Sequence, residues 1–550
     1  MSLANNSQDN SYSRTLNKSY WSPVCDSDIQ RESIGQRLDE AARDSKNSLA
    51  LTEVTIEGNV ARKWTYVELQ SDARRLAEIL VNRHPPRSNI AIWGNNIPEW
   101  VLLEYAAAYA GLTIVTVNPS FQLREAKYIV EQSESTAIYY VPSVRGNPIE
   151  AIAKEIKSEL PQVQSIIDMT CIEELYKRSS EMAVLPEVES NDPAQIQYTS
   201  GTTGMPKGVL LHHMGLAENA RFHAERGGMR KGDVIMNVMP LFHTAGCAVL
   251  TLGPLAARAT VVLFAQFDPE HTLKAIESEG ITCVFGVPTM LTALVDVQKT
   301  LGCDMSTVKN VIAGGAMVAP EMVRAAKKTF DAEFQIIFGQ TETSPVLTMV
   351  WDSDEIEDVT ESVGQPLPHV ELAVLDTETG QTLAVNEVGE VCARGPMNML
   401  GYFRQKEATA KTIDKEQWLH TGDLGMLDNR GYLHISGRLK EMIIRGGENL
   451  FPAEIENTML EHSDLVEVAV VGIPDEKFGE VVACFFRSTP GAALTRSDLV
   501  IFCRERISAQ KMPAIWVGVS DWPLTGSGKI QKFMLREKYV NGDYIDAVIQ

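Results

Sequence analysis

Positive charge is in short supply in this chain: 50 lysines and arginines stand against 72 aspartates and glutamates, a net charge of -22. Phosphate backbones and anionic bilayers select basic faces, so neither nucleic acid nor an anionic membrane is expected as a standing partner. An anionic substrate has to be met by positive charge concentrated locally. The eight cysteines (Cys25, Cys171, Cys247, Cys283, Cys303, Cys392, Cys484 and Cys503) include no C-x-x-C pair and no Cys/His cluster of metal-ligand spacing. Reduced, mostly buried thiols and a cytoplasmic location are the expectation. Met1 to Tyr20 is rich in Ser and Asn and lacks the apolar core of a signal peptide, and the chain does not end in a Ser-Lys-Leu-type peroxisomal signal. Long uninterrupted apolar runs are missing too. Trp100 to Val117 contains Glu104 and Gly246 to Phe264 contains Arg258, so both read as buried helix and strand rather than integral membrane segments. There is no internal repeat, low-complexity tract or heptad run.

What is present is enough apolar material for large cores. With 550 residues and 44% hydrophobic content, the chain should hold several structural units at about 100–200 residues per domain. Thr65-Tyr66-Val67-Glu68 is a capping box that opens a helix through Leu80. A strand at Asn89 to Trp93, a helix over Glu99 to Ala110, a strand at Thr113 to Val117, a helix over Leu123 to Gln132 and a strand at Ala137 to Val141 follow. Further strands are expected at Gln195 to Tyr198, Thr260 to Phe264, Cys283 to Gly286, Val311 to Ala313 and Gln335 to Phe338. This alternation predicts an α/β fold around largely parallel sheets, with ligands where strands end and glycine-rich loops begin.

From Val363 to Ser436 the segments become shorter and β-like, as at Val370 to Leu375 and Glu390 to Arg394, which predicts a β-rich unit. After Arg438-Leu439-Lys440 a compact tail begins, with strands at Glu467 to Val471 and Val481 to Arg487 and a helix from Thr495 to Ile507. The expected organisation is an extension over residues 1–30, a large domain over 31–439 and a small α+β domain over 440–550.

The stretch after the strand at Gln195 to Tyr198 carries the most chemistry: Thr199-Ser200-Gly201-Thr202-Thr203-Gly204-Met205-Pro206-Lys207-Gly208. Its glycines open backbone N–H groups to close approach, its hydroxyls add donors, and Lys207 adds a point charge suited to a polyphosphate. It fails the G-x-x-x-x-G-K-[ST] spacing, because Gly201 is followed at the required places by Pro206, Lys207 and Gly208. A Walker-type ATPase loop is thereby excluded.

Four more segments matter jointly. Phe338-Gly339-Gln340-Thr341-Glu342 delivers an aromatic for base stacking, a hydroxyl for a phosphate oxygen and a carboxylate for a hard cation. Thr421-Gly422-Asp423 holds a carboxylate on a tight turn, able to accept ribose hydroxyls, with Arg438 fifteen residues on. Arg445-Gly446-Gly447 sets two glycines beside a cation, letting backbone pass close to something narrow. Gly526-Ser527-Gly528-Lys529 presents a lysine on flexible backbone. Each string alone is compatible with an ordinary turn.

Their order in one chain resembles the adenylate-forming superfamily, which includes acyl-CoA synthetases, peptide-synthetase adenylation domains and beetle luciferases. The resemblance runs from Ser33 to Tyr539, and RGGENLFPAEIE (445–456) and GKIQKFMLRE (528–537) look most like medium- and long-chain fatty acyl-CoA synthetases. It implies a mobile C-terminal domain and a set of roles. Thr199 to Lys207 would cover the β- and γ-phosphates, Thr341 would touch the α-phosphate, and Glu342 would hold Mg²⁺. Gly314-Gly315-Ala316 and Phe338 would line the adenine and the start of the acyl tunnel. Asp423, helped by Arg438, would take the ribose hydroxyls. Lys440 would be the hinge, Arg445, Gly446 and Gly447 would flank the CoA pantetheine channel, Lys529 would serve adenylation, and His243 would lie near the substrate carboxylate. Phe338 stands where the family usually has tyrosine, and Met317 where its Gly-Gly-Ala-Pro segment has proline.

The resemblance implies that ATP and a carboxylic acid give acyl-AMP, which CoA then converts to a thioester. Three other readings share these motifs: an adenylase loading a carrier protein's phosphopantetheine, a luciferase-like oxygenase, and a catalytically silent nucleotide binder. The last is disfavoured by the intact Glu342, Asp423 and Lys529.

Overall fold

The computed structural model describes residues 11–174, 183–199, 206–316, 318–489, 491–492, 494–524 and 530–549. Packing divides the chain into two units. The first comprises Met1–Arg14, Trp21–Leu372 and Ala393–Leu419, and the second Thr15–Tyr20, Ala373–Cys392 and His420–Gln550.

Two sheets organise the first unit. Thr113–Val117 reads TIVTV, β-branched and buried at every position, as a strand covered on both faces requires. It lies at the centre of a seven-stranded sheet in the order Gly401–Tyr402, Lys207–His212, Pro193–Thr199, Thr113–Val117, Asn89–Trp93, Ala137–Tyr140, Ser165–Asp168. The pairings from Pro193–Thr199 onward are parallel, whereas Lys207–His212 is antiparallel to both of its neighbours. The second sheet has nine strands, among them Leu49–Val54, Thr260–Phe264, Val234–Asn237, Cys283–Gly286, Asn310–Gly314 and Glu333–Gly339, which run parallel in that order. The α/β reading of the sequence holds, and most expected strands fall within a residue or two of the observed ones.

The two longest apolar stretches resolve into separate elements. The first becomes the helix Pro98–Ala110, stopped by Gly111 in the left-handed region, and the strand Thr113–Val117. The second becomes a π-helical segment Ala245–Leu252, a short helix Gly253–Ala257 and the strand Thr260–Phe264. Among the described residues, no helix is long and apolar enough to cross a membrane.

Pro98–Ala110 is buried along its whole length, which places Glu104 in the core. Gln195 Nε2 donates to Glu104 Oε1 at 2.7 Å, Gln197 Nε2 donates to Gln195 at 2.8 Å, and Gln197 also reaches Cys247 Sγ at 3.1 Å. Burial pushes the Glu104 carboxyl well above the usual range, against the smaller opposing effect of the Gln195 hydrogen bond. A carboxyl raised in the folded state costs stability as pH climbs from its ordinary value of 4.5 to its folded value, because the unfolded chain ionises first. Glu104→Gln keeps the accepting oxygen and removes this slope. Its unfolding free energy should match wild type near pH 4 and then exceed it, by about 1.4 kcal/mol for each pH unit in that window. Thermal melts from pH 4 to 9 check this; parallel profiles for the two proteins would contradict an upward shift at Glu104.

The second unit holds most of a five-stranded sheet that ends in the hairpin Leu419–Leu427 and Leu433–Arg438. It also holds a C-terminal sheet in which Gly479–Ser488 pairs with Leu465–Asp475, Ile443–Arg445 and Ile515–Gly518. Val468, Val470, Val482 and Cys484 face one core, and Ala469, Val471, Ala483 and Phe485 face the other. The period of two along each strand thus fills both sides of one sheet. Pro452–Leu460 and Arg496–Arg504 pack on the first side, through Ile455, Met459, Leu499 and Cys503. Lys532–Val540 packs on the second through Leu535.

Candidate functional site

Gly314-Gly315-Ala316 and Phe338-Gly339 lie at the carboxyl ends of adjacent parallel strands, in register at Gly314 opposite Ile337. Both strand ends demand glycine. A Cβ on Gly314 would stand 2.6 Å from the Ile337 side chain, and one on Gly339 only 1.9 Å from the Pro345 carbonyl oxygen. Gly315 and Ala316 beyond them are exposed, so the strand end offers bare backbone to solvent. His243 follows the strand Val234–Asn237 of the same sheet, immediately before the π-helical segment. Its Nδ1 accepts the Ala245 N–H at 3.2 Å, and a neutral ring accepting there carries its proton on Nε2.

After Gln340 the chain turns through a 3₁₀ segment, Thr341–Thr343, which buries Thr341 and leaves Glu342 partly exposed. Tyr402 Oη donates to Glu342 Oε1 at 2.8 Å, and Lys207 Nζ sits 4.6 Å from the centroid of the same tyrosine ring. The backbone explains the meeting. Lys207 opens its strand opposite Thr199, and Gly401–Tyr402 pairs along that strand's other edge. Met399 N–H also donates to the Glu342 carbonyl at 2.8 Å, fastening the turn to this edge. Burial, then the Glu342 charge, pushes the Tyr402 phenol far up, so it stays a neutral donor at neutral pH. Tyr402 is absent from the residues expected above. Its one sequence signal is the Gly401-Tyr402 pair, and nothing in the linear order links that to Lys207 or Glu342. Thr199, Pro206 and Lys207 are described, while Ser200, Gly201, Thr202, Thr203, Gly204 and Met205 lie outside the described residues, as does Met317.

In the second unit Asp423 and Arg438 are direct partners across the hairpin, with Arg438 Nε 3.0 Å from Asp423 Oδ1. Asp423 is 5% exposed. Thr421-Gly422-Asp423 belongs to the strand Leu419–Leu427 and not to the tight turn expected from its glycine, because the ladder with Leu433–Arg438 extends through Asp423. Thr421 Oγ1 fastens it by donating to the Val391 carbonyl at 2.6 Å and accepting the Asp423 N–H at 3.0 Å. Lys440 is exposed in the turn after this hairpin. Arg445 Nη1 donates to the carbonyls of Ala509 and Met512, each at 3.4 Å, and to that of Gln510. Gly446 and Gly447 follow in an exposed turn at φ +61° and +86°. Lys529 lies outside the described residues. The linear spacing offers no Cys/His metal-ligand cluster, yet the fold brings Glu390, Cys392 and His420 together, because adjacent strands erase the sequence gap between Cys392 and His420.

Residues 38–403 match the AMP-binding enzyme family, and residues 454–529 match the AMP-binding enzyme C-terminal domain. The chain belongs to the AMP-binding enzyme family. Within this family it is an AMP-forming ligase of the acyl-CoA synthetase type. It is 34% identical over 510 residues to YngI of Bacillus subtilis (strain 168), provisionally an acyl-CoA synthetase, covering 87% of this chain and 92% of YngI. It is 32% identical over 544 residues to the mitochondrial medium-chain acyl-CoA ligase ACSF2 of Bos taurus, covering 93% of this chain and 88% of that protein. Among solved structures it is similar to ATP-bound MatB from Rhodopseudomonas palustris, with a TM-score of 0.83, 29% identity, and coverage of 93% of this chain and 99% of MatB.

Proposed function

We propose that this member of the AMP-binding enzyme family condenses a medium- or long-chain fatty acid with ATP to acyl-AMP and pyrophosphate, then transfers the acyl group to coenzyme A with release of AMP. The observation that carries the reading is the convergence of Lys207 and Glu342 on Tyr402. A cation for phosphate oxygens and a carboxylate for a hard metal ion are held side by side, and the tyrosine between them fixes both. The medium-chain ligase ACSF2 supports the fatty assignment.

The roles are those that the family's motifs suggest for the matching positions of this chain. Thr199 to Lys207 cradles the β- and γ-phosphates, and Thr341 donates to the α-phosphate. Gly314, Gly315, Ala316, Phe338, Gly339 and Gln340 border the adenine, with the strand-end glycines admitting a flat base close to backbone. Asp423, its carboxylate oriented by Arg438, accepts the ribose hydroxyls. His243 lies near the substrate carboxylate. Glu342 fits Mg²⁺ as a hard anionic oxygen donor, one of whose oxygens Tyr402 holds in place. The bound ion would supply charge neutralisation at the pyrophosphate leaving group.

Two anions must react, a carboxylate and an α-phosphate, so a positive group has to stand between them. Lys529 supplies that group from a C-terminal domain over 440–550, which turns about Lys440 relative to a domain over 31–439 that follows an extension over 1–30. The same turn brings Arg445, Gly446 and Gly447 to the thiol's path. The test is acid-dependent pyrophosphate release across straight-chain acids of graded length and aryl acids, with free acyl-CoA measured in the same reaction. Fatty acids should release pyrophosphate and yield acyl-CoA. Release with aryl acids alone would overturn the fatty assignment, and adenylate formed without acyl-CoA would point instead to carrier-protein loading.

A further inference from the structure

We propose that Glu390, Cys392 and His420 form a binding site for a thiophilic divalent cation, with zinc as the type ion, beside the Thr421–Asp423 segment of the strand Leu419–Leu427. Glu390 and Cys392 are two residues apart on the strand Gly389–Arg394, and His420 is on the neighbouring strand Leu419–Leu427. The separation of two sets the first pair on one face of the strand, and the sheet brings the imidazole alongside. Cys392 Sγ is 3.4 Å from His420 Nδ1, and His420 Nδ1 is 2.8 Å from Glu390 Oε2. All three donor atoms lie within 4.8 Å of one another.

Zinc bound tetrahedrally by sulfur, imidazole nitrogen and carboxylate oxygen, at bond lengths of about 2.0–2.3 Å, needs its donors roughly 3.3–3.8 Å apart. The sulfur–nitrogen pair already meets that spacing, and the carboxylate oxygen has only to swing by about an ångström to complete the face. The other carboxylate oxygen, Oε1, accepts the Gly422 N–H at 3.1 Å, which orients the carboxylate from behind as metal-binding carboxylates require. Cys392 is fully buried, whereas the side chains of Glu390 and His420 are 14% and 30% exposed. The sulfur therefore forms the floor, and the solvent side is left for a water as fourth ligand.

One sulfur, one nitrogen and one oxygen select against magnesium and calcium, which take all-oxygen sets, so this site is chemically separate from the one assigned to Glu342. Binding balances simply. The thiol proton goes to solvent, the imidazole proton moves from Nδ1 to Nε2, and Sγ, Nδ1 and Oε2 each donate a lone pair to the cation. If the cluster is instead only a Glu–His hydrogen-bonded pair packed on a cysteine, no sulfur–metal bond forms.

Cobalt(II) is the probe. The full-length protein, stripped with chelator, should take up one equivalent with a sulfur-to-cobalt charge-transfer band and tetrahedral visible bands. Zinc should displace it, and magnesium in large excess should not. Cys392→Ser and His420→Asn should each abolish the charge-transfer band at unchanged circular dichroism. X-ray absorption at the zinc edge of the wild-type protein, which requires no variant, should show one sulfur and the rest nitrogen or oxygen. No charge-transfer band, a band that survives Cys392→Ser, or a zinc shell without sulfur or with several would overturn the proposal. The spectrum is read without substrate, so it stands or falls independently of the acid that the enzyme activates.

Discussion

Lys529→Ala should cut acyl-adenylate formation about a thousandfold, because one ammonium about 4 Å from the reacting anions at an effective dielectric near 20 is worth about 4 kcal/mol. The loss should be confined to the first half-reaction. A bulky thiol attacking acyl-AMP has no use for a cation wedged between nucleophile and phosphate, so thioester formation from supplied acyl-AMP should stay within a few-fold of wild type. Single-turnover pyrophosphate release and acyl-CoA formation from synthetic acyl-AMP separate the two steps. Equal loss in both would show that Lys529 holds the protein together rather than bridging the two anions, and no loss in either would remove it from the chemistry.

The second large effect is expected at Glu342. Replacing it with glutamine keeps the shape and the hydrogen bond from Tyr402 but takes away the anion. Pyrophosphate release should fall about a hundred- to a thousandfold, the loss typical of one preorganised electrostatic group of about 3–4 kcal/mol. The magnesium concentration for half-maximal rate should rise with it. Tyr402→Phe is the control: it removes one hydrogen bond, leaves the carboxylate, and should cost about tenfold. If the two variants behave alike and the magnesium dependence does not move, Glu342 acts only through Tyr402 and is not a metal ligand.

Much of the fold was legible from residue order, for a definite reason. A strand buried on both faces must be apolar without interruption, so Asn89–Trp93, Thr113–Val117 and Thr260–Phe264 stand out as runs bounded by polar or turn residues. Thr65 and Glu68 announce a helix start by reciprocal hydrogen bonds that span only three residues. What escaped notice had no short-range mark. Lys207 reads as part of a glycine-rich loop but opens the strand Lys207–His212, because its pairing partners lie on both sides in space and not in sequence. The π-helical segment Ala245–Leu252 carries the same apolar pattern as an ordinary helix. Cys392 seemed one of several scattered thiols until His420 and Glu390 came beside it.

Motif order and residue type, which are local properties of the chain, determined by themselves the family and the class of reaction, since phosphate, ribose and thiol each demand particular short groupings. Only the folded chain decided that Tyr402 stands between Lys207 and Glu342, that Glu104 is buried deeply enough for its carboxyl to be pushed well above the usual range, and that a thiol, an imidazole and a carboxylate meet on neighbouring strands of one sheet. The reason is sheet order. Which strands become neighbours, and in what register, is set by the burial of the entire chain at once, and no window of sequence contains that information.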